Sequence, residues 1–299
     1  MKKDENCIYI VTLGLLIVPV IVALGSDFIS QAEGRVQWVK SKDGTPIAVE
    51  CAGAGPNLVI VHGGIGDRSR WKPLFPFFAA RFTVCAMDRR GRGASGDSAD
   101  YSLQKGAEDV AAVVNSRPGT VFVLGHSIGG VCALEAAFLT DKISKLVLYE
   151  PPLQDRNHDA VATKMENMIR AGKSEQALVT FLQEIVMVSP KEIEEMKARS
   201  SWPGRVAGIG KQIREIRALD RYRFDANRMR GLKVPTLLLT GSKTASPDLK
   251  RAISSLVDCL PNLSLIVFQG QEHNAMDTVP QQFAETVTKF LLDTKSKAD

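Results

Sequence analysis

One serine of this chain stands in a setting suited to nucleophilic chemistry. An apolar run at 121–124 leads into the sequence GHSIG at 125–129, and a helix-forming run follows as far as Thr140. A G-x-S-x-G sequence between a strand and a helix is typical of a sharp turn that lifts the serine above a sheet edge. Ser127 would then lie at a helix amino terminus, where negative charge is favoured. The alternative is a glycine-rich turn that merely joins two elements.

Two further segments strengthen the interpretation of Ser127 as a nucleophile. They are VIVHGG at 59–64 and DRRGRGAS at 88–95, each following an apolar, strand-like run. With GHSIG at 125–129, they resemble the α/β-hydrolase superfamily over about residues 36–292. The resemblance implies a mainly parallel sheet covered by helices on both faces, with a Ser-His-acid triad. It also implies an oxyanion hole made of two backbone N–H groups, those of Gly64 and Ile128.

A serine hydroxyl needs a base to take its proton, and the chain offers few candidates. The four histidines are His62, His126, His158 and His273. His126 is expected beneath the turn in a structural role, His62 in the oxyanion loop, and His158 at the surface of a helical insertion. The segment FQGQEH at 268–273 is similar to the final loop of the superfamily, which presents the catalytic base. The resemblance therefore assigns that role to His273.

The acid of the triad has two candidates. Gly241 is followed by Ser-Lys-Thr, so the aspartate that the superfamily usually carries after this strand is missing. Asp248 lies a few residues later, where it could simply be a first-turn helix residue. Glu150 ends an apolar strand, and some superfamily members, haloalkane dehalogenases among them, carry the acid there. An unpaired buried carboxylate is costly, so Glu150 is preferred and Asp248 is kept as the alternative.

These residues predict a serine hydrolase that cleaves a carboxylic ester or a related acyl substrate through an acyl-enzyme. Ser127 excludes the aspartate nucleophile that dehalogenases and epoxide hydrolases of the superfamily use. Perhydrolase or haloperoxidase-like enzymes and lyases keep the same triad, so they remain alternatives. So does a non-catalytic binding module, because a fold does not determine a function.

The elements that must position these residues can be read from the apolar pattern. Short β-rich runs alternate with helical stretches, as in a parallel sheet covered by helices. The predicted strands are 36–40, 47–51, 58–61, 82–87, 121–124, 143–149, 235–240 and 263–268. The first two flank Lys42-Asp43-Gly44 and predict a hairpin. Ser102 is expected to cap a helix towards Asn115, and Ser246-Pro247 to begin another.

The alternation is interrupted once, between about residues 152 and 231. This stretch has amphipathic helical segments at 161–171, 175–188 and 191–199, and Pro203-Gly204 is expected to break the next. An insertion of this size predicts a helical cap over a cleft. From Lys191 to Arg230 there are eleven basic against six acidic residues. Without a groove-reading motif this excess indicates a solvated helical face and no nucleic-acid partner.

The amino terminus predicts export. Residues 7–25 form an uncharged run near the length of a membrane span, after a short charged start. A cleaved signal peptide and an uncleaved membrane anchor both fit, so residues 1–34 are assigned to the leader and 35–299 to the hydrolase domain. Asp27 and Glu33 follow without a basic residue, which places the catalytic domain outside the cytoplasm.

Composition limits the remaining possibilities. The 299 residues are 44% hydrophobic and 24% charged, which is typical of a globular protein. The five cysteines are too few for a disulfide scaffold and none forms a C-x-x-C pair, so neither a metal nor a cofactor is predicted. The expected partner is a small acyl substrate.

Overall fold

The structure, a computed structural model, describes residues 34–153 and 157–294. The strands of this part are β1 (Arg35–Lys40), β2 (Pro46–Ala52), β3 (Asn57–Val61), β4 (Thr83–Met87), β5 (Val121–His126), β6 (Ile143–Tyr149), β7 (Thr236–Gly241) and β8 (Leu263–Phe268). The helices are α1 (Phe75–Ala79), α2 (Leu103–Asn115), α3 (Ile128–Ala136), α4 (Asp159–Arg170), α5 (Ser174–Thr180), α6 (Pro190–Lys197), α7 (Trp202–Arg221), α8 (Ala226–Arg230), α9 (Pro247–Cys259), α10 (Ala275–Thr278) and α11 (Pro280–Leu292). A 3₁₀ helix at Arg68–Leu74 and a π-helical segment at Phe181–Val186 complete the elements.

The strands form one sheet in the order β1-β2-β4-β3-β5-β6-β7-β8. The β1–β2 and β2–β4 pairs are antiparallel, and every other neighbouring pair is parallel. Each predicted strand is confirmed to within two residues at either end, as is the hairpin between β1 and β2. The parallel register brings the carboxyl ends of β3, β5, β6, β7 and β8 to one edge of the sheet, where the predicted site residues follow them.

Both faces of the sheet are buried, because its central strands carry apolar side chains on both sides. One face packs on α2, α3 and α9 through residues such as Val110, Leu134 and Leu256. The other packs on the 3₁₀ helix, α1 and α11 through Trp71 and Phe283 among others. The predicted fold class, a mainly parallel sheet covered by helices on both faces, is therefore confirmed.

The predicted insertion between β6 and β7 consists, in its described residues, of α4 to α8 and the π-helical segment. These helices share an apolar core of their own, which includes Met165, Leu178 and Ile213. The expectation that Pro203-Gly204 would break a helix is wrong, because α7 begins at Trp202 and runs through both residues. Proline is tolerated in a first turn, where its missing N–H would have no intrahelical partner.

A disulfide bond joins Cys51 of β2 to Cys85 of β4. The two residues lie directly opposite each other in the antiparallel register. The sequence analysis assigned no chemistry to the cysteines, and it missed this bond because the pairing of β2 with β4 is non-local. The predicted leader at 7–25 lies outside the described residues. Among the helices that are described, none has both the length and the apolar character needed to cross a bilayer.

Candidate active site

Ser127 occupies the sharp turn between β5 and α3. Its backbone has φ 53° and ψ −130°, a conformation that non-glycine residues rarely adopt and that is common at functional sites. A Cβ atom on Gly129 would lie 2.3 Å from the carbonyl oxygen of His62, and one on Gly125 would lie 2.6 Å from Cα of Gly130. Both glycines are thus required by the close approach of the helix to the sheet, as the sequence predicts.

Four of the predicted site residues line a single cavity at the sheet edge. They are Gly64, Ser127, Ile128 and His273. The cavity is small, about 30 Å³, and its remaining wall is largely apolar. Phe181, Ile185 and Val186 of the π-helical segment and Ile216 and Leu219 of α7 form that wall. The insertion therefore closes directly over Ser127.

His273 is paired with a carboxylate behind the cavity. Its Nδ1 lies 2.5 Å from Oε2 of Glu150, which is completely buried at the end of β6. The other oxygen of Glu150 accepts three hydrogen bonds, from Oγ1 of Thr240 (2.7 Å), the backbone N–H of Gly241 (2.9 Å) and Oγ1 of Thr244 (2.5 Å). Both oxygens of this carboxylate thus have hydrogen-bond donors, which is what a buried charge requires.

The surroundings of Glu150 keep its carboxyl ionised. Burial acts to raise the pKa of this group, but the interaction with His273 and the hydrogen bonds from Thr244 and Gly241 outweigh it. The net result is a pKa below the ordinary value for glutamate. Since Nδ1 of His273 faces a carboxylate, that nitrogen carries a proton, and Nε2 is left as the basic atom.

Asp248, the alternative acid, lies in a different environment. It sits in the first turn of α9, as expected, and pairs with Arg251 and, at 3.3 Å, with Nε2 of His158. The structure therefore brings Glu150 to His273 and directs Asp248 elsewhere. His158 was expected at the surface, but its side chain is only 15% exposed and lies between Asp248 and Asp220.

The loop that carries His273 is held by two side chains, each at the end of one of two neighbouring strands. His126 donates a hydrogen bond from Nε2 to the backbone carbonyl of His273 (3.1 Å), consistent with the structural role predicted for it. The hydroxyl of Tyr149 donates to the carbonyl of Glu272 (2.5 Å) and accepts from the N–H of Ala275 (3.1 Å). Tyr149 was not among the residues predicted from the sequence. A tyrosine at the end of an apolar strand was the available signal, because a buried hydroxyl needs partners.

The loop of Gly64 is oriented by groups beneath it. The carbonyl of Gly63 accepts from Nδ1 of His62 (2.7 Å) and from Nη1 of Arg89 (2.9 Å), while Nε2 of His62 accepts from the backbone N–H of Arg89 (3.0 Å). In a trans peptide the carbonyl and the following N–H point in opposite directions. The N–H of Gly64 therefore points away from Arg89. Ile128 is the first residue of α3, where an N–H has no intrahelical acceptor.

Arg89 also ties this loop to the insertion. Its guanidinium donates to Glu215 of α7 (2.6 Å), a fully buried residue that Arg92 also contacts (2.9 Å). Gln212, one turn earlier on α7, accepts from the N–H of Ile65 (3.1 Å). The segment 88–95, which resembles a turn of the superfamily, thus couples the loop of Gly64 to the insertion.

Two neighbouring carboxyl groups, one of them buried, connect the cap to the loop of His273. Glu192 of α6 is hydrogen-bonded to Glu272 and accepts from the side chain of Asn274. Glu272 also accepts from the N–H of Ser189 (3.1 Å). Burial, followed by the neighbouring carboxyl of Glu272, raises the pKa of Glu192 to about 7. The protonated form of Glu192 is therefore the one that the folded state favours.

This pair predicts a loss of stability as the pH rises. Because the folded pKa of Glu192 exceeds the unfolded value of 4.5, the folded state binds more protons between these values, and stability falls as the pH rises through this window. Glu192→Gln should therefore raise the free energy of unfolding by about 1–2 kcal/mol at pH 8, with the gain shrinking towards pH 5. Denaturant unfolding at several pH values measures this, with the exposed Glu195→Gln as control. A gain that does not vary with pH would contradict it.

Comparison with known proteins identifies the class to which this fold belongs, the hydrolases of α/β architecture. The model of the alpha/beta hydrolase family matches residues 58–286. The chain belongs to this family. An alpha/beta hydrolase from Sphaerobacter thermophilus is 31% identical, with a TM-score of 0.69, over 83% of this chain and 99% of that one. The predicted superfamily and the prediction of a hydrolase are thereby confirmed.

Two other relatives carry more specific names. A pimeloyl-[acyl-carrier protein] methyl ester esterase from Aeromonas hydrophila is 27% identical over 263 residues, which cover 82% of this chain and 99% of that esterase. The enol-lactonase from Burkholderia xenovorans is 19% identical with a TM-score of 0.72, over 86% of this chain and all of that one, and at this identity the likeness concerns the fold alone.

Proposed function

We propose that this protein is a serine hydrolase that cleaves small carboxylic esters through an acyl-enzyme. The observation that carries the proposal is the His273–Glu150 hydrogen bond at the back of a cavity that Ser127 also lines. In this arrangement Ser127 is the nucleophile, His273 the general base and Glu150 the residue that orients the imidazole and stabilises its cation. The esterase among the relatives supports ester hydrolysis as the reaction class.

The first half of the reaction transfers the acyl group to the enzyme. Nε2 of His273 takes the proton of Ser127 while Oγ forms a bond to the substrate carbonyl carbon. The carbonyl oxygen becomes negative and is stabilised by the N–H groups of Gly64 and Ile128. The intermediate then collapses, the bond to the alcohol oxygen breaks, and the imidazolium of His273 gives its proton to the departing alcohol.

The second half releases the acid. Water takes the place of the alcohol, His273 removes its proton, and the hydroxide adds to the acyl carbonyl of Ser127. Collapse of the second intermediate breaks the bond to Oγ, and the proton returns from His273 to Ser127. Every proton transfer in both halves passes through His273.

The wall of the cavity predicts preference for a short acyl group. An apolar lining and a volume of about 30 Å³ leave little room beside Ser127. We therefore expect the highest kcat/KM with acetyl to butyryl p-nitrophenyl esters, falling as the acyl chain lengthens. A panel of esters and lactones of graded length tests this. Hydrolysis of none of them, together with no fluorophosphonate labelling, would instead support a binding module.

We further propose that the domain works outside the cytoplasm. The uncharged run at 7–25 supports export, and so does the Cys51–Cys85 disulfide, because disulfides persist mainly in oxidising compartments. Fractionation of the full chain, followed by thiol labelling without reductant, tests the proposal. The proposal would be overturned if the protein is recovered in the cytoplasm and four thiols besides that of Cys7 react after unfolding.

A further inference from the structure

A second, larger cleft lies beside the catalytic cavity, between the cap and the sheet edge. Its volume is about 880 Å³, in the range of small-molecule sites. Five basic side chains line it: Arg70, Arg92, Arg199, Arg205 and Lys211. Two acidic residues, Asp67 and Asp277, line it as well. The proposed ester hydrolysis does not use any of these groups.

Arg205 differs from the other basic residues of the cleft because it is buried without a partner. Its relative exposure is 7%, and its Nη1 atom has no hydrogen-bond partner among the described residues. Burial, followed by the neighbouring charge of Arg70, lowers the pKa of this guanidinium to about 10. A buried cation that lacks a counter-charge is costly to the folded state, unless a ligand supplies the counter-charge.

Neither nearby carboxylate forms an ion pair or a hydrogen bond with Arg205, although both act to raise its pKa. Asp277 is paired with Arg70 (2.9 Å) and with Arg199 (2.8 Å). Asp67 accepts from the backbone N–H of Ser69 at the start of the 3₁₀ helix (2.8 Å). Both acids therefore have other partners within hydrogen-bond distance.

The other two basic residues of the cleft also have partners. Arg92 pairs with Glu215 (2.9 Å), and Lys211 donates to the carbonyl of Gly91 (2.5 Å). Among the five basic side chains of this cleft, that of Arg205 alone has no ion pair or hydrogen bond within the described residues.

The amino terminus of α7 points to the same kind of ligand. Gly204, in its first turn, lines the cleft, and the side chain of Ser201 makes no capping hydrogen bond there. In this turn the N–H of Trp202 already donates to the carbonyl of Arg199 (3.0 Å) and Pro203 has no N–H, so the N–H of Gly204 is the backbone donor left to favour an anion. The amino terminus of α7 and the unpaired guanidinium of Arg205 therefore lie in the same part of the cleft.

We propose that this cleft binds the anionic end, a carboxylate or a phosphate, of the ester that Ser127 cleaves. Arg205 is the residue that contacts the anion. Cleft and cavity adjoin along two segments: Gly64 lines the cavity while Ile65 lines the cleft, and on α7 Gln212 lines the cavity while Gly208 and Lys211 line the cleft. The link to the ester rests on the proposed function, whereas binding of the anion does not.

Anion binding is tested first without catalysis. Thermal unfolding is followed in NaCl buffers of equal ionic strength with and without about 10 mM inorganic phosphate or glutarate. We expect at least one of these anions to raise the Tm of the wild-type protein and of Arg221→Gln by about 2 °C or more, and to leave Arg205→Gln unchanged. Arg221 is the matched control, because it is an exposed arginine at the far end of the same helix.

A merely structural role of Arg205 gives a different result in the absence of anion. Because the guanidinium is buried and unpaired, Arg205→Gln should unfold at the same Tm as the wild type or above it. A lower Tm for this variant, or equal anion-induced shifts in Arg205→Gln and the wild type, would overturn the proposal. So would the absence of a shift in the wild type with both anions.

The link to the substrate is tested with matched esters. Monomethyl glutarate is compared with dimethyl glutarate, and 1-butyrylglycerol 3-phosphate with 1-monobutyrin, so that the two arms distinguish a carboxylate from a phosphate. In one arm we expect Arg205→Gln to lower kcat/KM for the anionic ester by about 10- to 100-fold, mostly through KM, and to leave the neutral ester unchanged. Equal losses on charged and neutral esters in both arms would overturn the link.

The two proposals fail in different ways. If the protein does not hydrolyse esters, Arg205-dependent stabilisation by the anion still supports the binding site. If it hydrolyses neutral esters as well as charged ones and no anion shifts its Tm, the proposed function stands and the anion site is excluded.

Discussion

Ser127→Ala is expected to lower kcat/KM for p-nitrophenyl butyrate by about 10⁴- to 10⁶-fold, leaving the Tm within a few degrees of that of the wild type. Removing the nucleophile of a triad leaves only the rate enhancement that comes from binding and from the oxyanion hole. The fold should tolerate the change, since alanine keeps the Cβ of serine at this backbone position, whose φ is 53°. Initial rates, with Ser254→Ala as an exposed control, measure the effect.

Covalent labelling separates a loss of the nucleophile from a loss of structure. A fluorophosphonate probe should label the wild type and Ser254→Ala but not Ser127→Ala. Undiminished turnover in Ser127→Ala would show that another group attacks the ester. Labelling of Ser127→Ala would show that the probe reacts at another site.

The sequence allowed these predictions because the elements around Ser127 are local. The turn at 125–129 needs glycines on both sides of the serine, and the strands that position it are short apolar runs with clear limits. A hydrophobic pattern together with turn residues determines such elements. The order of the parallel strands then places 64, 127, 150 and 273 at one edge.

The parts that were missed depend on contacts between distant segments. Cys51 and Cys85 pair because β2 lies beside β4, and Arg89 reaches Glu215 across 126 positions of the chain. Periodicity carries no information on such pairs. Arg205 likewise reads as one more basic residue of a solvated helix, and only its burial without a partner sets it apart.

The choice between two acids was open in the sequence for a related reason. Glu150 and Asp248 each follow a predicted strand of the same sheet, and spacing does not say which side chain turns towards His273. The two candidate acids are distinguished by the hydrogen-bond donors of Thr240, Gly241 and Thr244, which converge on Glu150. The proposed catalytic assignment of Glu150 needs a test on the rate.

Glu150→Gln is expected to lower kcat by about 10³- to 10⁴-fold with little change in KM. The amide oxygen of the variant would take over the hydrogen bonds from Thr240, Gly241 and Thr244, which turns the NH₂ group towards Nδ1 of His273. That nitrogen would then have to accept, and the ring proton would move to Nε2. His273 could no longer take the proton of Ser127, although the site keeps its shape.

Steady-state rates of Glu150→Gln and Asp248→Asn distinguish the two candidate acids. Asp248 pairs with Arg251 and His158, so Asp248→Asn should leave kcat within about twofold of the wild type. A large loss of kcat in Asp248→Asn with normal rates in Glu150→Gln would mean that the start of α9 rearranges in solution to bring the other carboxylate behind His273.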